Sequence, residues 1–325
     1  MTKSLIPSID AAAETGRIGQ VLVAALSRRL HRRGVVLGVS GGIDSAVCAA
    51  VATKALGPQR VFALLMPERD SSSDSTARGL ELCQRLGIEH AVEDITQPLA
   101  AAGAYARRDD AIRTLFADYR EDWKLKVVLA SDPLGEARLS FFDLIVQSPD
   151  GVQRRTRMPA EVYRQVIAAT NMKQRIRKMM EYYHAERLNY AVIGTPNRLE
   201  YELGFFVRGG DGLADIKPIA HLYKSQVYAL AAHLGVPDSI RRQPPSTDTY
   251  SLSQTQEEFY YTLPWHRLDA VLWAETQGLA AETVAQAMGL STEQIGHVWR
   301  DIRSKRRVAE RGLADAVLVE EVGLT

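Results

Sequence analysis

The stretch VVLGVSGGIDSAV, Val35–Val47, decides how this chain is read. Val35, Val36, Leu37 and Val39 form a short apolar run of strand type, expected over 35–39. Ala46, Val47, Ala49, Ala50 and Val51 continue as a helix of small apolar residues, expected over 45–56. Between them stands Ser40-Gly41-Gly42-Ile43-Asp44-Ser45. A strand, a tight glycine turn and a helix start together make an anion site. The first N–H groups of a helix have no partner inside it, and its dipole favours negative charge there. Glycine lets that backbone approach a phosphate, and Ser40 and Ser45 add hydroxyl donors. Asp44 breaks the pattern. A carboxylate beside phosphates is repulsive unless a cation lies between them, so the expected companion is Mg²⁺, bound by a carboxylate and substrate phosphates together. A plain helix N-cap also accounts for a strand-Gly-Gly-helix. The Asp and two Ser within six residues favour phosphate chemistry. No Gly-Lys-Ser/Thr follows, so this is not the Walker loop.

The same alternation continues outward. A basic-ended amphipathic helix is expected over 10–33, a second strand in RVFALLMP up to Pro67, a capped helix in SDSTARGLELCQRLG, and a third strand in EHAVEDI. A long helix over 160–187 leads into a fourth strand, YAVIGT (190–195), with a short fifth in ADIKPIA and a helix ending at Gly235. This rhythm implies an α/β fold, a doubly wound parallel sheet with ligands at the carboxyl ends of its strands. Residues 97–159 interrupt it and read as an inserted β-hairpin region, in which Phe141, Phe142, Leu144 and Ile145 call for burial. Residues 265–325 read as a helical C-terminal part of the same single domain, 1–325, with two helices split at Gly289-Leu290-Ser291 that fit antiparallel packing better than a DNA-binding turn.

Composition excludes several classes. The 325 residues carry a net charge of +1, which gives no case for a nucleic-acid or membrane-surface protein. The two cysteines, Cys48 and Cys83, form no pair motif and sit in apolar stretches, as buried thiols do. No signal-peptide core or transmembrane run is present, so a cytoplasmic location is expected.

A second informative stretch is VIGTPNRLEYELGFFVRGGDGLADIKPIAHLYKSQ. Thr195 ends the fourth strand and Glu200 follows near a helix start, so Asp44 and Glu200 are placed to share a metal from two strand ends. The glycine-rich RGGDGLAD is a shaped loop offering Arg208, Asp211 and Asp215, and Lys224 begins a helix beyond it. Singly, each of these charges suits a solvated face; clustered beside a glycine loop, they suit a ligand.

Taken together, SGGIDSA and GTPNRLEYELGFFVRGGDGLADIKPI…LYK resemble the NAD synthase family, adenylating amide ligases of the PP-loop ATP pyrophosphatase class, over about residues 10–307 outside the insertion. The resemblance implies an adenine nucleotide alpha hydrolase-like fold. It implies an ATP site of Ser40, Gly41, Gly42, Asp44, Ser45, Thr195, Lys224 and Ser246, with Asp44 and Glu200 on Mg²⁺. TNMKQRIRK matches the family's Asn-x-x-x-Arg-x-Arg, so Arg175 is implied as a deamido-NAD contact, with Arg208, Asp215 and Lys305. The resemblance further implies Asp44 and Lys224 as the residues of the catalytic charge work. The reaction implied is amidation of deamido-NAD by ammonia through an acyl-adenylate, with ATP as cosubstrate and a homodimer sharing the dinucleotide site through the N-terminal helix and the helix near 160–187.

Three departures stand on the acid-substrate side. Gln254-Thr255-Gln256-Glu257 lacks one acid of the family's Gln-Thr-Asp-Glu, KRR is followed by VAERGLAD where the family has prolines, and the 97–159 region is long; separately, Arg208 replaces the usual lysine and Ser304 the usual histidine. They motivate an alternative, a related ligase amidating a different carboxylate. Glutamine-using members carry an additional amidase domain, for which this sequence has no room ahead of the first strand; free ammonia, or ammonia from a separate partner, is therefore the expected donor.

Overall fold

The structure is a computed structural model and describes residues 5–130, 141–245, 249–261, 263–320 and 322–323. Helix α1 (Ala11–Ala24) starts at Asp10, whose carboxylate accepts the Ala12 and Ala13 amides, and runs on into a wider π-helical segment, Ala25–Leu30. Strand β1 (Val35–Gly38), α2 (Ile43–Leu56), β2 (Val61–Leu65), α3 (Ser73–Leu86) and β3 (Glu89–Val92) follow as the sequence suggested. The helix begins two residues earlier than expected, with Gly42 as its N-cap.

The main sheet is parallel, in the order β3-β2-β1-β7, where β7 is Ala191–Val192. Both its faces are covered, which is why its strands read as unbroken apolar runs. Val35, Leu37, Ala63 and Leu65 point into a core shared with α1, α2 and the later helix α9 (Lys224–His233). Val36, Phe62, Leu64 and Val192 point to the other face, against Leu99, Tyr105 and Ala185. Those three residues belong to α4 (Thr96–Ala101), α5 (Ala104–Arg113) and α7 (Met172–Leu188).

The 97–159 region is β-rich only in part. Helices α4 and α5 open it, and three antiparallel strands follow, β4 (Lys124–Leu129), β5 (Phe142–Gln147) and β6 (Gln153–Arg157), turning at Asp150-Gly151. Leu144 is fully buried and Phe142 and Ile145 partly so, but Phe141 is 44% exposed, its ring covered on one side by the Arg157 guanidinium at 4.7 Å.

The single helix expected over 160–187 is two, α6 (Ala160–Thr170) and α7, divided at Asn171. The break lets the halves serve two cores: Val166 packs with the small sheet, while Met172 and Ile176 pack with the main one. The fourth strand is also shorter than expected. Beyond Val192 the chain makes a single parallel bridge, Ile193 to Ile216, so the proposed fifth strand reduces to one residue.

Past α8 (Arg198–Leu203), α9 and α10 (Asp238–Arg241), the chain crosses the mouth of the sheet. It forms α11 (Gln256–Phe259), α12 (Trp265–Thr276), α13 (Ala281–Met288) and α14 (Thr292–Leu313). These helices pack around Leu268, Leu272, Val298 and Ile302, with the break at Gly289-Leu290-Ser291 where it was expected. The helical reading of 265–325 fails after Leu313. Ala314 turns to extended backbone, and Val317 and Val319 are fully exposed, with no core to hold them in a helix. Both cysteines are buried and free. Among the described residues no helix is long and apolar enough to cross a membrane.

A buried ionic cluster ties α5 and α7 to the loop after β2. Burial raises the Asp70 carboxyl, but the Lys173 ammonium and Arg108 guanidinium outweigh it and hold the group below its ordinary value. The folded state therefore binds this proton more weakly than the unfolded chain does. Stability from Asp70 is present above the ordinary carboxylate value and is lost as pH falls through the lower folded one. Urea midpoints measured stepwise in pH are expected to fall below about pH 4, and in Lys173→Met, where the folded Asp70 value moves up toward the unfolded one, that fall is expected to be smaller.

Candidate active site

A cleft of about 450 Å³ opens at the carboxyl ends of β1, β2 and β7, where a doubly wound sheet holds ligands. Its floor is the glycine turn. Gly41 has φ +75°, and a β-carbon there would stand 2.3 Å from the Ser75 carbonyl oxygen, so only glycine closes this turn. The turn is held internally. Ser45 Oγ donates to the Gly42 carbonyl at 3.0 Å, the Gly42 amide donates to Ser40 Oγ at 3.3 Å, and the two seryl oxygens lie 3.2 Å apart. Gly42 brings no side chain to cap α2, so that helix end faces the cleft. Arg78 lines the same wall, donating to the Gly41 carbonyl at 3.4 Å.

Asp44 and Glu200 both line this cleft. Asn197 is the residue between them: its Nδ2 donates to Asp44 Oδ1 at 3.0 Å. The Asn197 backbone amide donates to Glu200 Oε2 at 3.2 Å, while Asn197 Oδ1 accepts the Glu200 amide, a capping box that starts α8. Lys224 Nζ forms an ion pair with Asp44 Oδ2, and its side chain is 2% exposed. The start of α9 is itself fixed by a distant residue: Asp269 accepts the Lys224 amide at 3.2 Å and the Ser225 amide at 2.8 Å. Burial drives the Asp269 carboxyl up to about 6 despite those donors.

Two carboxylates share one lysine here. Burial first, and then the Asp44 charge, push the Glu200 carboxyl up to about 8, against the pull of Lys224. The same two acids raise Lys224 despite its burial. One more positive charge would satisfy the trio, and oxygen-only donors suit a hard cation. Among the described residues no group of three or more His, Cys, Asp or Glu is arranged to hold a metal. The donor set thus fits an ion that relies on one or two carboxylates plus substrate phosphates, as Mg²⁺ does.

The cleft's other end is charged and enclosed. Lys178 pairs with Glu181 at 2.7 Å, and Arg177 donates to the Met66 carbonyl at 3.2 Å. Asp211 accepts the Val207 amide at 2.7 Å, and burial raises its carboxyl. Thr195 lines the cleft as expected.

The four dinucleotide contacts implied by resemblance lie outside this cleft. Arg175 is exposed on α7 and donates to the Arg208 carbonyl at 3.2 Å. Arg208 closes the end of α14, donating to the Arg311 and Ala314 carbonyls at 3.3 and 3.0 Å. Asp215 accepts the Val192 amide at 2.7 Å, standing in for a ladder bond, and the Tyr182 hydroxyl at 3.4 Å. Lys305 donates to Asp301 at 2.6 Å and to the Tyr260 carbonyl at 2.7 Å. Ser246 lies outside the described residues.

Asn197, Asp269 and Lys173 escaped the sequence reading as site residues. Asn197 left a signal, the Asn-x-x-Glu of PNRLE; the other two act on partners far along the chain.

An open helix end, an acid pair and a buried lysine at the strand tips make an anion site of the kind that holds a nucleotide's phosphates. The family model described as NAD synthase matches residues 18–121 and 147–309, and the chain belongs to that family. The NH(3)-dependent NAD(+) synthetase of Rhizobium rhizogenes is 55% identical over 314 residues, covering 97% of this chain and 94% of that protein. The protein of the same name from Rhizobium meliloti is 55% identical over 299 residues, covering 92% and 89%. The solved NH3-dependent NAD synthetase of Campylobacter jejuni superposes with TM-score 0.61 at 24% identity, over 95% of this chain and all of that one, which supports the fold.

Proposed function

We propose that this chain is a carbon–nitrogen ligase that converts deamido-NAD and ammonia to NAD, at the expense of ATP. The observation that carries the reading is the Asp44–Lys224–Glu200 cluster at the open end of α2, in a chain 55% identical to NH(3)-dependent NAD(+) synthetases over almost its whole length. Those relatives disfavour a different acid substrate.

A carboxylate is a poor acyl donor because oxide is a poor leaving group. Attack of the deamido-NAD carboxylate on the α-phosphorus of ATP would release pyrophosphate and leave an acyl-adenylate. Ammonia would then displace AMP. Lys224, the α2 amides and the two seryl hydroxyls would hold the phosphates and neutralise their charge, which is most of the protein's task. Asp44 and Glu200 would hold Mg²⁺, which supplies charge neutralisation on the phosphates. Arg175, Arg208, Asp215 and Lys305, placed outside the single-chain cleft, would meet the dinucleotide only where a second copy completes the site. A homodimer through α1 and α7 is supported by the exposed Val21 and Val23 on α1 and Met179 and Tyr183 on α7. Cytoplasmic residence fits a ligase of soluble nucleotides. We read 1–325 as one domain, because the cleft draws residues from the main sheet, from β5 and from the segment before α12. The family model passes over 122–146, which supports an insertion centred on the small sheet.

Purified protein with deamido-NAD, ATP, Mg²⁺ and ammonium is expected to form NAD, AMP and pyrophosphate in equal amounts. ADP as product, or an acid other than deamido-NAD as the preferred substrate, would overturn the reading.

Ammonium must lose a proton before it attacks. Asp211 lines the cleft wall, half-buried, whereas Asp215 is engaged with β7. Asp211→Asn is expected to lower kcat/KM for ammonium by about 10²-fold, in the range of a general base. Asp215→Asn should act chiefly on the KM for deamido-NAD and on thermal stability, with a smaller effect than Asp211→Asn on ammonium kinetics at saturating deamido-NAD. The reverse pattern in steady-state kinetics would reject the assignment.

A further inference from the structure

Residues 249–256 run along the mouth of the cleft, contributing Thr249, Tyr250 and Gln256 to its lining. Lys173 holds the near end. Its Nζ donates to Glu68 Oε1 at 2.8 Å, Asp70 Oδ2 at 2.7 Å and the Thr249 carbonyl at 2.8 Å. An ammonium has three donors, and each of these has an acceptor. Lys173 therefore has no N–H left for a substrate, although it lines the cleft. Its two carboxylates are fixed in turn, Glu68 by the Tyr105 hydroxyl at 2.8 Å and Asp70 by Arg108 at 2.6 Å.

Strand β4 holds the middle of the segment. The Leu125 amide donates to Ser251 Oγ at 2.9 Å, and the Leu252 amide donates to the Leu125 carbonyl at 3.1 Å. Lys126 Nζ reaches the Ser253 carbonyl at 3.2 Å. The Gln254 amide, 3% exposed, donates to the Val127 carbonyl. Residues 251–254 thus lie along the β4 edge away from β5 and cover that edge with irregular chain.

The far end reaches the acid pair. Thr255 caps α11, accepting the Glu258 amide at 3.2 Å, and this aims Gln256. Gln256 is 7% exposed, and its Nε2 donates to Glu200 Oε1 at 3.2 Å.

We propose that Lys173 and the edge of β4 are positioning elements for the acid site: they fix Thr249–Thr255 so that the Gln256 amide holds Glu200 in place. The small sheet is then part of the catalytic apparatus through this strap rather than an ornament beside it. The inference rests on the reading above, in which Glu200 serves the ATP-cleaving step.

The test is a double-mutant cycle with two readouts. One is steady-state kinetics of NAD formation; the other is binding of Mn²⁺ as probe, in the presence of a non-hydrolysable ATP analogue, followed by electron paramagnetic resonance. Gln256→Leu is expected to lower kcat and weaken Mn²⁺ binding by about 10-fold or more, as loss of a group that orients a metal ligand does. Lys173→Met and Gln254→Leu should show losses of the same kind, with the KM for deamido-NAD changed by less than about threefold, because neither touches the dinucleotide. Each double variant with Gln256→Leu should lose little beyond the worse single, since all act through one contact. Lys173→Met strands two buried carboxylates, so Gln254→Leu carries the test if that variant does not fold. Wild-type kcat and Mn²⁺ affinity in folded Gln254→Leu, or losses that multiply in the doubles, would overturn the proposal. A wild-type protein that makes no NAD would instead overturn the underlying reading.

Discussion

Replacing Lys224 by methionine is expected to give the largest combined loss of stability and turnover of any single substitution in the cleft. Its ammonium is buried against Asp44, with Glu200 close enough to feel both. Methionine fills the aliphatic path but leaves two carboxylates facing each other without their cation. Breaking a buried pair on one side costs about 3–5 kcal/mol, because the remaining charge stays desolvated. Removing a positioned charge from a phosphoryl-transfer site costs a further 10²–10³-fold, approximately, in kcat. Urea denaturation reads the first effect, and pyrophosphate release with saturating deamido-NAD reads the second. A variant with wild-type stability would mean that the pair is solvated in solution.

Asp44→Asn separates chemistry from folding. Asparagine has nearly the same volume but one acceptor oxygen where two donors point, so it keeps one of the contacts to Asn197 and Lys224, and Glu200 remains to balance the Lys224 charge. What disappears is the negative charge that makes the residue a cation ligand. Pyrophosphate release is expected to fall by about 10²–10³-fold while the far-UV circular dichroism spectrum stays unchanged. Retained pyrophosphate release would remove Asp44 from the catalytic role.

The two substitutions also mark how much the sequence discloses. The glycine turn was readable because its logic is local: Ser40, Gly41, Gly42, Asp44 and Ser45 act within one strand-to-helix turn. Alternation of apolar runs with helix patterns announced a parallel sheet for the same reason. Strand lengths were less legible. YAVIGT has strand composition throughout, yet the Asp215 carboxylate takes the Val192 amide and the ladder stops after two residues. The long helix expected before it divides at Asn171, because its halves face different cores, a demand that periodicity within the segment does not express.

The supports of the site were least legible. Asp269 reaches the start of α9 from 45 positions away, and Lys173 meets Thr249 across 76. Nothing in the flanking residues of either marks it, since an acid on an amphipathic helix and a lysine in a basic helix are both ordinary. The residues proposed to meet the dinucleotide show the converse. Arg208 and Asp215 stand at motif positions, yet each is engaged in holding α14 or β7. Resemblance locates a residue in a loop; only packing shows which of its hydrogen-bonding groups are still free.

Isotope transfer from the acid substrate tests the central claim most directly. With oxygen-18 in both carboxylate oxygens of deamido-NAD, attack on the α-phosphorus carries one labelled oxygen into AMP and leaves the other in the amide of NAD. Mass spectrometry of the products is predicted to find one label in AMP and none in pyrophosphate. Unlabelled AMP, or label in inorganic phosphate alongside ADP, would contradict an acyl-adenylate formed at the Asp44–Glu200 site.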